Sequence, residues 1–436
     1  MTGSSVKGTP AAGLETGEAE VRVIPPVRWA LYLLAFSIPL EYPDRFAYEV
    51  TTMTGVLVLL CAMLQPRVCF GRLPWALACY GCFLYAQLVS LVTEGTIYPG
   101  GLYLKEVSKL FQLISLWVLV FWVCSNLFRQ ERIRRGTLWS LILGCVIRAA
   151  LPILGWGRTA HLEGSGGERV AILGQNPNQS AQVLALGLLA LIGLVYVQPR
   201  GTFRPRILAW AGVGLVTLSL VETGSRGGLV TLALGLLVFL TSGQTLRMRI
   251  RNASVAVVAL GVLYSVAVRS ELVVTRIAKA QEGDLAKRED IFPTLVGMIR
   301  EKPLLGWGPI TNKYELAVRL GDPEFGRRDT HNIVLEVVTA SGLLGLIPFL
   351  VGIWLCLKAA WAARAGPQGV VPLALLLAVL IGNMTQNRLA TPLLWMVLAY
   401  ALAGSAAAPV PAVAAPGARP WSGFRRLLVW PTRATP

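Results

Sequence analysis

Residues 332–357 read NIVLEVVTASGLLGLIPFLVGIWLCL, 26 residues with one charged side chain, Glu336. A helix rising about 1.5 Å per residue needs about 20 such residues to cross a hydrocarbon core, so this stretch has the length and composition of a membrane span. Working outward, apolar runs recur at about 29–40, 50–65, 73–92, 107–127, 137–154, 178–197, 207–221, 227–242, 253–268, 370–385 and 392–407. With 332–357 they make twelve expected transmembrane spans. Helices are the expected form, because backbone groups in hydrocarbon must find their partners within the segment. The expected fold class is an all-α polytopic membrane protein. Composition agrees: 54% of the 436 residues are hydrophobic and 14% charged, against about 25% charged in soluble chains.

The net charge of +17 would suggest a nucleic-acid partner if it were spread over a surface. It sits instead in short arginine clusters between apolar runs, at 67–72, 129–135, 200–206, 247–251 and 358–364, and in the C-terminal tail. These segments hold 18 cations and one anion, Glu131, while the rest of the chain balances. Excess Lys/Arg marks cytoplasmic connections, so both termini are expected in the cytoplasm and nucleic acid is excluded as a partner. The first 27 residues lack an apolar core, so no cleavable signal peptide is expected. The expected organisation is a flexible cytoplasmic tail over 1–27, spans one to nine over 28–268, an outer loop domain over 269–331, spans ten to twelve over 332–408, and a basic cytoplasmic tail over 409–436.

The outer connections are uneven. Loops longer than about 12–15 residues are usually functional or disordered, and 269–331 is far longer. Its sequence predicts structure: Pro293 fits the start of a helix over Ile291–Ile299, Gly306–Pro309 is a strong turn, and Lys313–Leu320 reads as a second helix. A second outer connection, about 155–177, is Gly-rich and polar. None of the seven cysteines lies in the large loop, so no disulfide framework is expected there. Cys79 and Cys82 have CxxC spacing inside an apolar run and read as packing residues.

Two histidines occur in the chain. His331 sits where the long loop returns to the span at 332–357, a place for an imidazole to accept a proton near neutral pH, or merely to cap a helix mouth. His161, in the Gly-rich connection, reads as a solvated loop residue. Arg226 lies in Glu222-Thr223-Gly224-Ser225-Arg226-Gly227-Gly228, where glycines permit a tight turn that fixes one guanidinium at the outer mouth of the bundle. Arg148 and Arg388 also fall toward outer ends of spans. Ionisable groups at membrane depth tend to mark sites, although pairing with Glu222 or Glu336, or snorkelling to headgroups, would serve them equally. Arg288 precedes the Ile291 helix, where the helix dipole already favours an anion. Guanidinium groups bind phosphate bidentately, so Arg226, Arg288 and His331 together would make an outer-facing site for a phosphate-bearing lipid with one base. The chain has no Asp-x-Asp pair, no metal-spaced His/Cys cluster, no Gly-Lys-Ser/Thr phosphate loop and no Gly-x-Ser-x-Gly elbow. No metal and no cofactor are expected, and any donor is expected to be lipid-borne and already activated.

Four stretches carry a resemblance: Gly174-Gln175-Asn176-Pro177-Asn178-Gln179-Ser180-Ala181; Thr223-Gly224-Ser225-Arg226-Gly227-Gly228; Arg288-x-x-Ile291-Phe292 with Lys302-Pro303-Leu304-Leu305-Gly306-Trp307-Gly308; and His331-Asn332-Ile333-Val334-Leu335-Glu336 with Gly342-Leu343-Leu344-Gly345. In this order and spacing the chain resembles the bacterial O-antigen ligase family, within the wider O-antigen ligase/polymerase (Wzy-C-like) superfamily of membrane glycosyltransferases. The resemblance implies transfer of a glycan from undecaprenyl pyrophosphate to a sugar hydroxyl of the lipid A-core at the periplasmic face of the bacterial inner membrane. It implies His331 as the functional histidine, and Arg226 and Arg288 as the arginines on the donor pyrophosphate. Asn178, Arg148 and Arg388 are expected to bind substrate, with no matched family role for Arg148 or Arg388. Alternatives within the superfamily are an O-antigen polymerase and a protein O-oligosaccharyltransferase, which differ in acceptor. From another class, a lipid-linked oligosaccharide flippase would more naturally show repeated halves, broken helices and midplane charges. Membrane lipids are the remaining expected partner, and oligomeric state is not legible.

Overall fold

The computed structural model describes residues 22–41, 49–94, 101–163, 167–197, 206–241, 245–281, 288–321, 326–364, 366 and 368–404. Most of the tails expected over 1–27 and 409–436 lies outside these residues, as do Arg200, Arg204 and Lys287. So do the side chains of Arg158, His161, Arg169 and Arg206.

The described chain is a helical bundle. Its helices are α1 (Pro25–Ser37), α2 (Val50–Met63), α3 (Trp75–Glu94) and α4 (Gly101–Ser115), which runs on through a wide turn to Leu127. They continue with α5 (Glu131–Ala150), α6 (Pro177–Ile192), α7 (Arg206–Glu222), α8 (Arg226–Leu240) and α9 (Leu246–Arg269). After α9 come α10 (Glu271–Gln281), α11 (Arg288–Glu301) and α12 (Thr311–Arg319), then α13 (Ile333–Ala363), α14 (Val371–Asn383) and α15 (Pro392–Gly404). Among the described residues, five helices are long and apolar enough to cross a membrane: Trp75–Thr93, Tyr103–Leu127, Pro177–Val195, Leu246–Arg269 and Ile333–Ala363. Others, including α2, α8, α14 and α15, are apolar but shorter. Side chains around the whole circumference of α6 and α15 are buried, whereas α9 exposes most of its apolar surface at the bundle's rim.

The Gly-rich connection before α6 differs from the loop expected there. Arg158–Glu163 and Gly167–Ile172 pair antiparallel as β1 and β2, with Arg158 opposite Ile172. Val170, Ala171 and Ile172 of β2 are buried, so the end of β2 packs against the helices. Gly157 at φ +65° has its neighbour Leu173 against it and starts the turn into β1.

Between α9 and α13 the long connection folds on a core of its own, formed by Ile291, Leu295, Met298 and Leu316 with Trp307, Leu320 and Leu335. Each fully buried large aliphatic side chain there contributes about 1.5–3 kcal/mol. Helix α11 starts at Arg288, three residues before the expected start, because Glu289 and Asp290 favour a first turn in which amides are unpaired. Pro293 therefore lies inside the helix. Helix α12 matches the expectation over Lys313–Leu320 to within two residues, and α10 adds a helix beyond the two expected. Trp307 anchors this unit: its indole donates to the Met298 carbonyl (3.0 Å), with Lys302 and Arg319 over its ring.

Helix α13 is broken at Gly342 (φ 60°, ψ −162°). Residues 303–308 are stitched into the break: Trp307 N donates to Thr339 O (2.8 Å), Gly308 N to Ala340 O (2.9 Å) and Leu343 N to Pro303 O (2.8 Å). A Cβ on Gly342 would collide with the Leu304 carbonyl, and one on Gly306 would come within 2.7 Å of the Ala340 backbone. Both glycines are required by this close approach, which satisfies backbone groups that the break releases. The loop unit is thereby fixed to the half-helix Ile333–Ser341, at whose start His331 stands.

Candidate active site

Arg226 is the first residue of α8. Ser225 caps that helix by accepting from Gly228 N (3.1 Å), and Gly224 turns the chain at φ +60°. A Cβ at Gly228 would strike Ala181 of α6, and one at Gly227 would lie 2.7 Å from Thr385 Oγ1. The turn is thus pressed between α6 and the α14–α15 connection, and the half-buried Arg226 side chain leaves it to donate to the Arg276 carbonyl of α10 (2.9 Å).

Arg288, at the start of α11, donates to the Thr385 carbonyl (2.9 Å). Thr385 therefore joins the two arginines: its side chain abuts the Arg226 turn and its carbonyl accepts from Arg288. Burial lowers the Arg288 pKa from its ordinary value, and the nearby Arg226 guanidinium lowers it further. Two cations held side by side at modest burial form a place whose charge is balanced best by an anion.

His331 has φ +52°, a left-handed conformation costing of order 1–3 kcal/mol for a side chain of this kind. The residues around it hold it there. Asn332 caps α13, its Oδ1 accepting from Val334 N (2.9 Å) and Leu335 N (3.2 Å). The Thr330 hydroxyl lies 3.1 Å from both Asn332 O and Glu336 Oε2. Burial pushes the His331 pKa below 6.5; Asp329 opposes this, and Arg288, Lys313 and Arg328 add to it. Near neutral pH the imidazole is therefore uncharged, with a lone pair able to take a proton.

The other expected site residues fall into two places. Asn178 lies in the first turn of α6, where its carbonyl accepts from Gln386 Nε2 (2.6 Å). Arg388 is buried beside it, donating to Gln179 O (3.3 Å), while its own N–H meets Asn383 Oδ1 (3.0 Å). Both thus adjoin the α14–α15 connection that carries Thr385. Arg148 is fully buried, bonded to Pro39 O, Ile172 O (2.8 Å) and Ser180 Oγ (2.6 Å), and ties the hairpin and α6 to the end of α1.

Two residues of α4 hold α12 in place: Lys105, which stands out in the sequence as an outer-side cation with no matched family role, and Glu106, which does not stand out. Glu106 of α4, fully buried, accepts from Thr311 N (2.5 Å) and so caps α12. Lys105 donates to Tyr314 OH (2.8 Å). Glu106 and Thr385 leave no local signal, since their partners are about 205 and 97 residues away. The seven cysteines are free thiols, and among the described residues no three His, Cys, Asp or Glu gather as a metal site.

These observations define an α-helical, multi-pass membrane protein with two arginines brought together at Thr385 and a histidine, its pKa lowered by burial, at the start of α13. Residues 211–350 match a family model described as O-antigen ligase. That stretch holds Arg226, Arg288 and His331. The chain is also 27% identical over 306 residues to an O-antigen ligase of Pseudomonas aeruginosa, covering 66% of this chain and 69% of that protein. Together the two matches support the O-antigen ligase family, whose activity is of the glycosyltransferase type.

Proposed function

We propose that the protein transfers a glycan from undecaprenyl pyrophosphate to a hydroxyl of the lipid A-core, at the periplasmic face of the inner membrane, through a bundle of twelve spans with both termini cytoplasmic. The observation that carries this reading is the junction at Thr385, which sets Arg288 beside the Arg226 turn, with a neutral His331 within electrostatic reach of Arg288. His331 takes the proton of the acceptor hydroxyl as its oxygen attacks the donor's anomeric carbon. The new glycosidic C–O bond forms, the anomeric C–O bond to phosphate breaks, and its electron pair leaves with the pyrophosphate. Arg226 and Arg288 stabilise that departing charge, the kind of preorganised electrostatic contribution that is often the largest in catalysis. A single displacement of this kind inverts the anomeric configuration and requires no metal. Asn178 and Arg388 shape the adjoining wall, and Arg148 holds the base of the site.

Among the described residues, the break at Gly342 is a feature that a transporter would share. Residues 303–308 fill it and satisfy its backbone, which favours a fixed scaffold for the loop over a moving gate. The reading is tested with purified protein, undecaprenyl-pyrophosphate glycan and, in parallel, rough lipopolysaccharide, a second glycan lipid and a pilin-like protein, with EDTA present. Modification of the lipopolysaccharide alone is the expected result. Elongation of the glycan lipid would identify a polymerase, and glycan on the pilin a protein transferase. Translocation without transfer in vesicles would overturn the enzyme reading.

A further inference from the structure

We infer that Lys313 is a positioning residue for His331, acting through Asp329 and Glu336. The inference rests on the reading of His331 as the base. Lys313 lies on α12 with its side chain almost fully buried, Nζ 2.5 Å from Asp329 Oδ1 and 3.6 Å from Glu336 Oε1. Its carbonyl also accepts from Arg328 N (3.0 Å). One lysine therefore holds the chain just before His331 by backbone and side chain, and it also holds the carboxylate one turn into α13. Glu336 reaches the same segment a second time through Thr330.

The left-handed His331 is thus bracketed by Asp329 and Thr330 on one side and Asn332 on the other, each tied to Lys313, Glu336 or the end of α13. Helix α12 is itself fixed to α4 by the Glu106 cap. The support then runs from a membrane helix along α12 to Lys313, and by polar contacts to Asp329, Glu336 and Thr330, whose segment carries His331. Lys313 does not touch the reacting atoms. It fixes where His331 stands relative to Arg288, and near-attack geometry is sensitive to displacements of about 1 Å, worth up to ~10²-fold in rate. Burial would lower the Lys313 pKa, but Glu336 and Asp329 outweigh it and keep the ammonium charged. Removing that charge would take from Asp329 and Glu336 the cation in contact with them, leaving Lys109 of α4 as a further buried cation in their field, and would release Asp329 from its tether to α12.

The test compares Lys313→Met, Lys313→Arg and Asp329→Asn in the full-length protein, each also in a His331→Ala background, after thermal melting has established that each variant is folded. The expected result for Lys313→Met is a kcat loss of about 10- to 100-fold with donor KM unchanged and substantial recovery in Lys313→Arg. In the His331→Ala background, Lys313→Met should cause no further loss. The charges that act most on His331 are Asp329, Arg288, Lys313 and Arg328, with Glu336, Arg327 and Lys109 of α4 around the Lys313–Asp329 pair behind them. Lys313→Met should therefore move the acid limb of kcat/KM to higher pH, and Asp329→Asn should move it to lower pH. Equal losses in both backgrounds, or a loss carried by donor KM, would make Lys313 merely structural and overturn the inference. Should Lys313→Met fail to fold, Asp329→Asn decides: unchanged turnover and an unmoved limb would overturn it. Full turnover in His331→Ala alone would instead defeat the reading of His331 as base.

Discussion

Arg148 and Arg288 look alike in the sequence, each an arginine at the edge of an apolar or amphipathic stretch on the same side of the chain. In the structure they do opposite things. Arg148 is fully buried and spends its guanidinium on two main-chain carbonyls and a hydroxyl from three different segments. Arg288 is half-exposed, with one main-chain acceptor at Thr385 and a second arginine near enough to disfavour its charge. The difference teaches that depth in the bundle does not identify a functional cation. What separates the two is how fully each guanidinium is matched: Arg148 has three oxygen acceptors and the Glu41 carboxylate against its neighbour Arg388, whereas the half-exposed Arg288 has one acceptor and Arg226 against it, which leaves room for an anion.

The largest way to break that contrast is to remove the base beside the arginines. His331→Ala is expected to lower kcat by about 10²–10⁴-fold with the melting temperature held, read by glycan transfer and thermal unfolding in parallel. Next in size is Arg288→Ala, expected to cost about 10²–10³-fold in kcat/KM, with Arg226→Ala behaving similarly. Arg148→Met should show the reverse pattern. It strands buried carbonyls at a cost of about 1–3 kcal/mol, lowering the melting temperature while the turnover of the folded fraction persists. If Arg148→Met abolished donor binding in folded protein, or Arg288→Ala only destabilised, the division between cross-link and site would fail.

How much of this was legible follows the range of each interaction. Apolar runs of span length, and the helical spacing of Leu295, Met298 and Ile299, are local patterns and predict helices where helices stand. The glycine-rich turn before Arg226 and the change from polar loop to apolar span at His331 are local too, which is why both residues could be placed at helix starts, where Ser225 and Asn332 form the caps. The junction at Thr385 was not legible, because its partners come from α8 and α11 and threonine in a short connection has no distinguishing pattern. The same holds for Glu106, which reads as one charge near the start of a span until α12 is set against it. Gly306 and Gly342 were visible as residues, but their reason was not: each is a glycine because the other segment's backbone passes within contact distance. The β1–β2 hairpin escaped for a different reason, since its Gly-rich surroundings mask a short strand pattern.

The smallest effect sharpens the contrast most, because it separates the two arginines by charge alone. A general base must be unprotonated, so kcat/KM should fall as pH drops through the His331 pKa of the free protein. Burial holds that pKa below 6.5, and Arg288 is among the cations that push it down further, against Asp329. Arg288→Gln keeps much of the side-chain volume but removes the cation, so the His331 pKa should rise and the acid limb should move to higher pH. Arg148 is not among the charges that act most on His331, and Arg148→Met should leave the limb in place even as it lowers the melting temperature. A limb that moved equally in both variants would mean that His331 responds to the general loosening of the bundle. A limb moved by Arg288→Gln alone would tie the imidazole electrostatically to the arginine proposed to hold the pyrophosphate, making base and leaving-group stabiliser parts of one site.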